Sequence, residues 1–243
     1  MNTVTEKQMA VPSLEEMLQA GVHFGHQSSR RHPKMKPFIF TKRNNIHVID
    51  LESTQTKLVE ALDFVRQIVA NGGVILFVAS KKQARQIVKE AADRCGMPYI
   101  VGRWIGGIFT NFDQVGKLLT TLKRLETEEK DGTWQRYTKG EQMDFKKEQN
   151  RLREFVGGIQ NMTKLPKAIF VVDIKKEKTS VAEANKKNIP IIAMTDTNVN
   201  PSLVQYPIPA NDDAMSSIAL IANCIADATI ASREAAKAKT EVV

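Results

Sequence analysis

Val74-Ile75-Leu76-Phe77-Val78-Ala79 is an unbroken apolar run, opened by Gly72 and Gly73 and closed by Ser80, Lys81 and Lys82. A stretch this short, rich in β-branched residues and apolar at every position, predicts a strand buried on both faces. Ala84, Ile87, Val88, Ala91 and Ala92 follow at the three- and four-residue spacing of a helix. The unit returns at 168–172, closed by Asp173, and again at 189–194. Apolar strands followed by helices or polar loops predict a parallel sheet covered on both faces, the α/β class. A chain of 243 residues suits one large domain, or one domain carrying an insertion.

The other segments arrange themselves around that sheet. Ser13 with Glu16 three residues on has the spacing of a capping box, opening a short helix that ends at Gly21. Residues 38–41 and 46–51, joined by Lys42-Arg43-Asn44-Asn45, predict a β-hairpin with a basic turn. Ser53 reads as the cap of a helix reaching Ala70, with Leu58, Ala61, Leu62, Val65 and Ile68 on its buried face. A short strand at 99–101 leads into the loop 102–111. From Phe112 the period changes: Phe112, Val115, Leu119, Leu122 and Leu125 step as a coiled-coil seam. A polar link from Glu126 to Glu141 joins it to a second amphipathic run carrying Phe145, Leu152, Phe155, Val156 and Ile159. The expected organisation is a discontinuous α/β domain over 10–110 and 160–236, with an antiparallel coiled-coil helical hairpin inserted at 111–159. A last helix spans about 213–236, and flexible tails are expected at 1–9 and 237–243.

Charge narrows the function. Lys and Arg number 35 against 27 Asp and Glu, a net charge of +8, which favours a polyanionic partner, nucleic acid or an anionic membrane surface. No leader-like apolar segment opens the chain, and no uninterrupted apolar run approaches the ~18 residues of a membrane span. The two cysteines, Cys95 and Cys224, lie far apart in helical patterns and read as buried thiols of a reducing compartment. A cytoplasmic protein is expected. The basic excess is concentrated: between Glu16 and Asp50 there is no acidic residue, while Arg30, Arg31, Lys34, Lys36, Lys42, Arg43 and all four histidines lie there. Cations interleaved with Phe24, Met35, Phe38 and Phe40 on turns and a hairpin suit phosphates and irregular RNA. Arg103 and Trp104 would add a guanidinium and a stacking face at a sheet edge. The competing reading is a solvated charged surface with its aromatic residues in the core.

Catalytic readings fare less well. Neither a Walker loop nor a GxGxxG fingerprint occurs, and the spacing of Gly102, Gly106 and Gly107 matches neither. Asp173 and Asp196 each close a strand, where an α/β hydrolase using Mg²⁺ would place its carboxylates. No nucleophile with an adjacent base accompanies them, and a strand-closing Asp is a common turn former. His23 and His26, three apart, could face one ion, with Asp196, Asp212 or Asp213 supplying a further ligand only through the fold. No metal or cofactor is expected.

Ala20-Gly21-Val22-His23-Phe24-Gly25-His26, Pro33-Lys34-Met35-Lys36-Pro37-Phe38-Ile39, Arg103-Trp104-Ile105-Gly106-Gly107-Ile108-Phe109-Thr110-Asn111 and Asp196-Thr197-Asn198 are long strings with a known counterpart. So is Leu165-Pro166-Lys167 running into 168–173, with Glu177 and Glu183 leading to Ile189-Pro190. In this order, from about Ser13 to Ala231, they resemble the bacterial small-subunit ribosomal protein S-two family. The resemblance implies a flavodoxin-like α/β domain with an inserted coiled-coil arm, no catalytic activity and no small-molecule substrate. It also implies a cytoplasmic, ribosome-bound protein that contacts small-subunit ribosomal RNA. Docking of ribosomal protein S-one for mRNA recruitment, beside neighbouring small-subunit proteins, belongs to the same expectation. The RNA-contacting residues expected are His23, His26, Arg30, Arg31, Lys34, Lys36, Lys42, Arg43, Arg103, Trp104 and Asn111. A metal-dependent hydrolase built on Asp173 and Asp196, and a free-standing coiled-coil adaptor, are the rival classes.

Overall fold

The computed structural model describes residues 11–240, so the tail expected at 1–9 and the end, 241–243, of the one expected at 237–243 lie outside the described residues, while 237–240 are helical. α1 (Leu14–Gln19) begins with the expected capping box: Ser13 Oγ accepts from Glu16 N–H, and the Glu16 carboxylate accepts from Ser13 N–H. Three antiparallel strands follow, β1 (Phe24–Gln27), β2 (Ile39–Arg43) and β3 (Ile46–Ile49), in the order β1-β3-β2. The hairpin is present, but its turn is Asn44-Asn45 alone, both at positive φ, and Lys42 and Arg43 are strand residues. Asn tolerates the left-handed region that a two-residue hairpin turn demands. β1 was not foreseen, because Phe-Gly-His-Gln has no alternating apolar pattern. α2 (Leu51–Ala70) is capped by Asp50, which accepts from Glu52 N–H, whereas Ser53 donates its hydroxyl to Asp50. The cap therefore lies three residues earlier than expected.

β4 (Ile75–Val78), α3 (Lys82–Cys95) and β5 (Tyr99–Ile100) come next. The helical pair α4 (Phe112–Lys130) and α5 (Lys139–Val156) stands between β5 and β6 (Ala168–Val172). The two helices run antiparallel, since Glu126 meets Arg153 while Glu129 meets Lys146 and Gln149. α4 continues past Glu126 to Lys130, shortening the expected link. α6 (Lys178–Lys186), β7 (Ile191–Thr195), β8 (Tyr206–Pro209) and α7 (Met215–Thr240) complete the described chain. α7 reaches four residues beyond the expected end.

The large sheet has the order β5-β4-β6-β7-β8, parallel throughout. In chain order this is 2-1-3-4-5, a doubly wound arrangement. The unbroken apolar runs are explained by two cores. Ile75, Phe77, Phe170, Val172, Ile192 and Met194 face a cluster with α1, α2, α3 and α7; Leu76, Val78, Ile169, Val171, Ile191 and Ala193 face one with α4, α5 and α6. β8 carries Pro207 and Pro209, which an edge strand accommodates because its outer side needs no amide donors. By length and composition α7 could cross a membrane, contrary to expectation, yet Ile218, Ile221, Ala222, Ile225 and Ala226 are fully buried in the first core.

Phe77 and Phe170 meet edge to face beneath the sheet, with ring centroids 5.4 Å apart and no exposure. Phe170→Ala should cost about 3–5 kcal/mol in urea unfolding. A loss below about 1 kcal/mol would mean that the two central strands are not packed as described.

Candidate functional site

The carboxyl ends of β4, β6, β7 and β8 gather most of the buried charge among the described residues, the position where a doubly wound sheet places its working residues. The turn after β7 holds the small antiparallel sheet. His26 N–H donates to Thr197 Oγ1 (2.9 Å) and His32 N–H to the Thr197 carbonyl (2.8 Å). Asn211, beyond β8, donates its N–H to the Val22 carbonyl and its amide Nδ2 to that of Gly21. Gly25 is required here, since a Cβ at this position would sit 2.6 Å from Thr197 Cγ2.

Beside that turn is a cluster of four carboxylates. Lys81 Nζ lies 2.6 Å from both Asp212 and Asp213 and 3.6 Å from Asp173. Burial opposes its charge, but Asp212, Asp213 and Asp173 outweigh burial and hold the ammonium well above its ordinary range. Asp212 is pushed up to about 7, by burial first and then by Asp173 and Asp196. His26 has one carboxylate at each ring nitrogen, Asp196 2.9 Å from Nδ1 and Asp213 3.5 Å from Nε2. Asp196 raises the His26 pKa against the effect of burial. Asp196 is 1% exposed, and its Oδ2 has no aligned hydrogen bond. Ligand atoms of His26, Asp196 and Asp213 lie within 4.8 Å of one another, so this trio has the donor types and spacing to hold a divalent ion such as zinc. Sequence spacing had paired His26 with His23; the fold instead turns His23 onto Phe24, ring centroids 4.0 Å apart. Asp196 and Asp213, 170 and 187 positions from His26, become its partners only once the sheet forms.

The remaining expected residues divide cleanly. Arg30, Arg31, Lys34, Lys36, Lys42 and Arg43 are all exposed, as are Arg103 and Asn111. None of these cations makes an ion pair among the described residues. Trp104 differs from expectation: it is 8% exposed and donates Nε1–H to Glu183, so its ring is not a free stacking face. Glu183 was noted only as part of a string, yet it organises the whole 102–111 loop. Its carboxylate also accepts the N–H groups of Gly107, Phe109 and Thr110 and the Thr110 hydroxyl. Burial would raise its pKa, and these donors override burial to lower it.

Next to the basic face is an apolar patch. Leu14, Leu18, Phe24 and Phe40 are exposed by 40%, 53%, 52% and 76%, far more than core residues of their kind. Leu14, Leu18 and Phe40 line a shallow depression of about 440 Å³ with His23 and Val48.

A family model described as "Ribosomal protein S2" matches residues 17–232. Two curated relatives from two strains of Dehalococcoides mccartyi, each named "Small ribosomal subunit protein uS2", are 49% identical over 234 residues. The match covers 96% of this chain and 95% of each relative.

Two outcomes test the site. Glu183→Ala would strand several buried donors and should destabilise the fold by about 3 kcal/mol; a change within about 0.5 kcal/mol would contradict its role. For pH, His26 has a folded pKa above its ordinary 6.5 and Asp212 one near 7 against 3.8. Both groups bind protons on folding, so their contribution is complete below the unfolded values and is lost as pH rises through the folded ones. The thermal midpoint should be higher near about pH 6 than near about pH 8. His26→Ala should narrow that difference, and a midpoint rising with pH would contradict the assignment.

Proposed function

Since this chain belongs to the ribosomal protein S2 family, we propose that it binds small-subunit ribosomal RNA through the basic face of its N-terminal sheet. It is a structural, non-enzymatic component of the small ribosomal subunit and acts on the ribosome in the cytoplasm. One observation carries the RNA reading: six exposed Arg and Lys residues between 30 and 43, none with a carboxylate partner among the described residues. A helix-stabilising or solubilising surface mixes both signs, whereas a phosphate-binding surface does not. In this reading Arg103 and Asn111 add contacts from the loop after β5. His23 and His26 serve it indirectly, by fixing the sheet, and Trp104 does so through Glu183.

Docking of ribosomal protein S-one is assigned to the apolar patch of Leu14, Leu18, Phe24 and Phe40. An exposed apolar surface of this kind fits a protein partner, while RNA backbone offers it nothing. The domain reading is part of the proposal: an α/β body over 10–110 and 160–236 bears the helical pair at 111–159 as a coiled-coil arm. Buried Val115, Leu119, Leu122 and Leu125 supply its seam, and the arm meets RNA and neighbouring small-subunit proteins. Asp173 and Asp196, the pair of the rival hydrolase reading, are engaged in local structure. Asp173 accepts from Lys175 and Lys176 N–H, and Asp196 from Thr197.

Sucrose-gradient profiles test the proposal. The protein should travel with the small subunit through a moderate salt wash. The combined change Arg30→Gln, Arg31→Gln and Lys34→Gln should release it at lower salt, each lost contact reducing the salt slope by roughly 0.7–0.9. A variant that stays bound with an unchanged salt dependence would remove the N-terminal sheet from the RNA contact.

A further inference from the structure

The segment from Asp173 to Asn188 turns all its acids inward. Asp173 faces Lys81, Glu177 is 3% exposed and accepts from Ser80 N–H (2.7 Å), and Glu183 is buried among the amides of the 102–111 loop. What stays outside is one sign of charge. Lys175, Lys176, Lys178, Lys186 and Lys187 are all exposed, and none forms an ion pair among the described residues. Helix stability does not account for them. Three of the five sit at or just before the start of α6, where the helix macrodipole is positive and acidic residues are the stabilising choice. The first turn of α6 contains no acidic residue, and the Glu177 side chain does not cap it.

The helical pair shows the contrast. There the cations stand among exposed acids: Arg124, Lys146, Lys147, Arg151 and Arg153 each meet a carboxylate, while Lys117, Lys123 and Lys130 form no ion pair among the described residues. No exposed aromatic residue lies within 173–188 either, so this surface offers charge without a stacking platform. Glu183 fixes α6 against the loop carrying Arg103 and Asn111, and Glu177 fixes its start against the end of β4. The lysines are thus presented from a rigid edge.

We infer that the outer face of α6 and the turn before it form a second RNA surface, one that grips the phosphate backbone and reads no bases. It is separate in sequence from the N-terminal sheet and rests on the RNA-binding reading given above. The sheet would hold one stretch of the subunit's RNA and α6 another, so that the protein bridges two.

The test measures binding of the full chain to protein-free small-subunit ribosomal RNA across a salt series. One variant carries Lys175→Gln, Lys176→Gln and Lys178→Gln; a second carries Arg30→Gln, Arg31→Gln and Lys34→Gln. Circular dichroism confirms that both fold. The α6 variant should lower the salt slope by about 2–3, at roughly 0.7–0.9 per contact, and the two losses should add when combined. An unchanged slope for the α6 variant beside a reduced one for the N-terminal variant overturns this inference and leaves the proposed function standing. Unchanged slopes for both overturn the RNA reading itself. An α6 variant that binds naked RNA normally yet fails to enter small subunits assigns the lysines to a protein neighbour, which also overturns the inference.

Discussion

The basic segment depends on its attachment to the turn after β7. Thr197 accepts backbone hydrogen bonds from both His26 and His32, and Asn211 holds the carbonyls of Gly21 and Val22. These bonds span more than 160 residues of sequence, so the N-terminal sheet takes its position only once the parallel sheet is complete. Met35 and Ile49 are buried and add apolar contact, but hydrogen bonds and a glycine-sized gap set the orientation. A surface fixed this way presents its cations without first having to order them, which favours binding.

Charge is partitioned locally in the same molecule. At the carboxyl ends of the parallel strands and in the segment 173–188 the carboxylates are engaged by the fold: Glu177 and Glu183 bind backbone amides, and Asp173, Asp196, Asp212 and Asp213 share Lys81 and His26. The lysines of 173–188 are left outside, with no ion pair among the described residues. Carboxylates around Lys81 and His26 raise the pKa of both against burial, while burial, with Asp173 and Asp196, pushes Asp212 up to about 7. The folded cluster therefore holds the protons of Lys81 and His26 more tightly than water would. In the helical pair both signs are exposed and cancel locally, so its net field is weak.

The parallel sheet was legible because buried strands need apolar residues on both faces, and Ile75–Val78, Ala168–Val172 and Ile191–Thr195 nearly satisfy that requirement at every position. The capping box at Ser13 and the basic face were legible for equally local reasons. What escaped was non-local. β1 has no periodic signal, and its strand geometry comes from pairing with β3. Asp50 replaced Ser53 as a cap because the helix begins directly after β3, and caps depend on where the preceding strand ends. Trp104 reads as an exposed aromatic beside Arg103, and a carboxylate 79 residues away, with Phe109 and the second core, draws it inside. The α6 lysines went unremarked because acids are interspersed among them in sequence, and burial alone separates the two signs.

The central claim is that the N-terminal sheet lies against ribosomal RNA in the assembled small subunit. Photo-crosslinking from single positions in intact subunits tests it most directly, with the reactive group at Lys34 or Lys42 and a control at Glu60 on the outer side of α2. Adducts to small-subunit RNA from Lys34 and Lys42, and none from Glu60, are the predicted result. Adducts to protein alone from both basic positions, with RNA reached only from the control, would contradict the account.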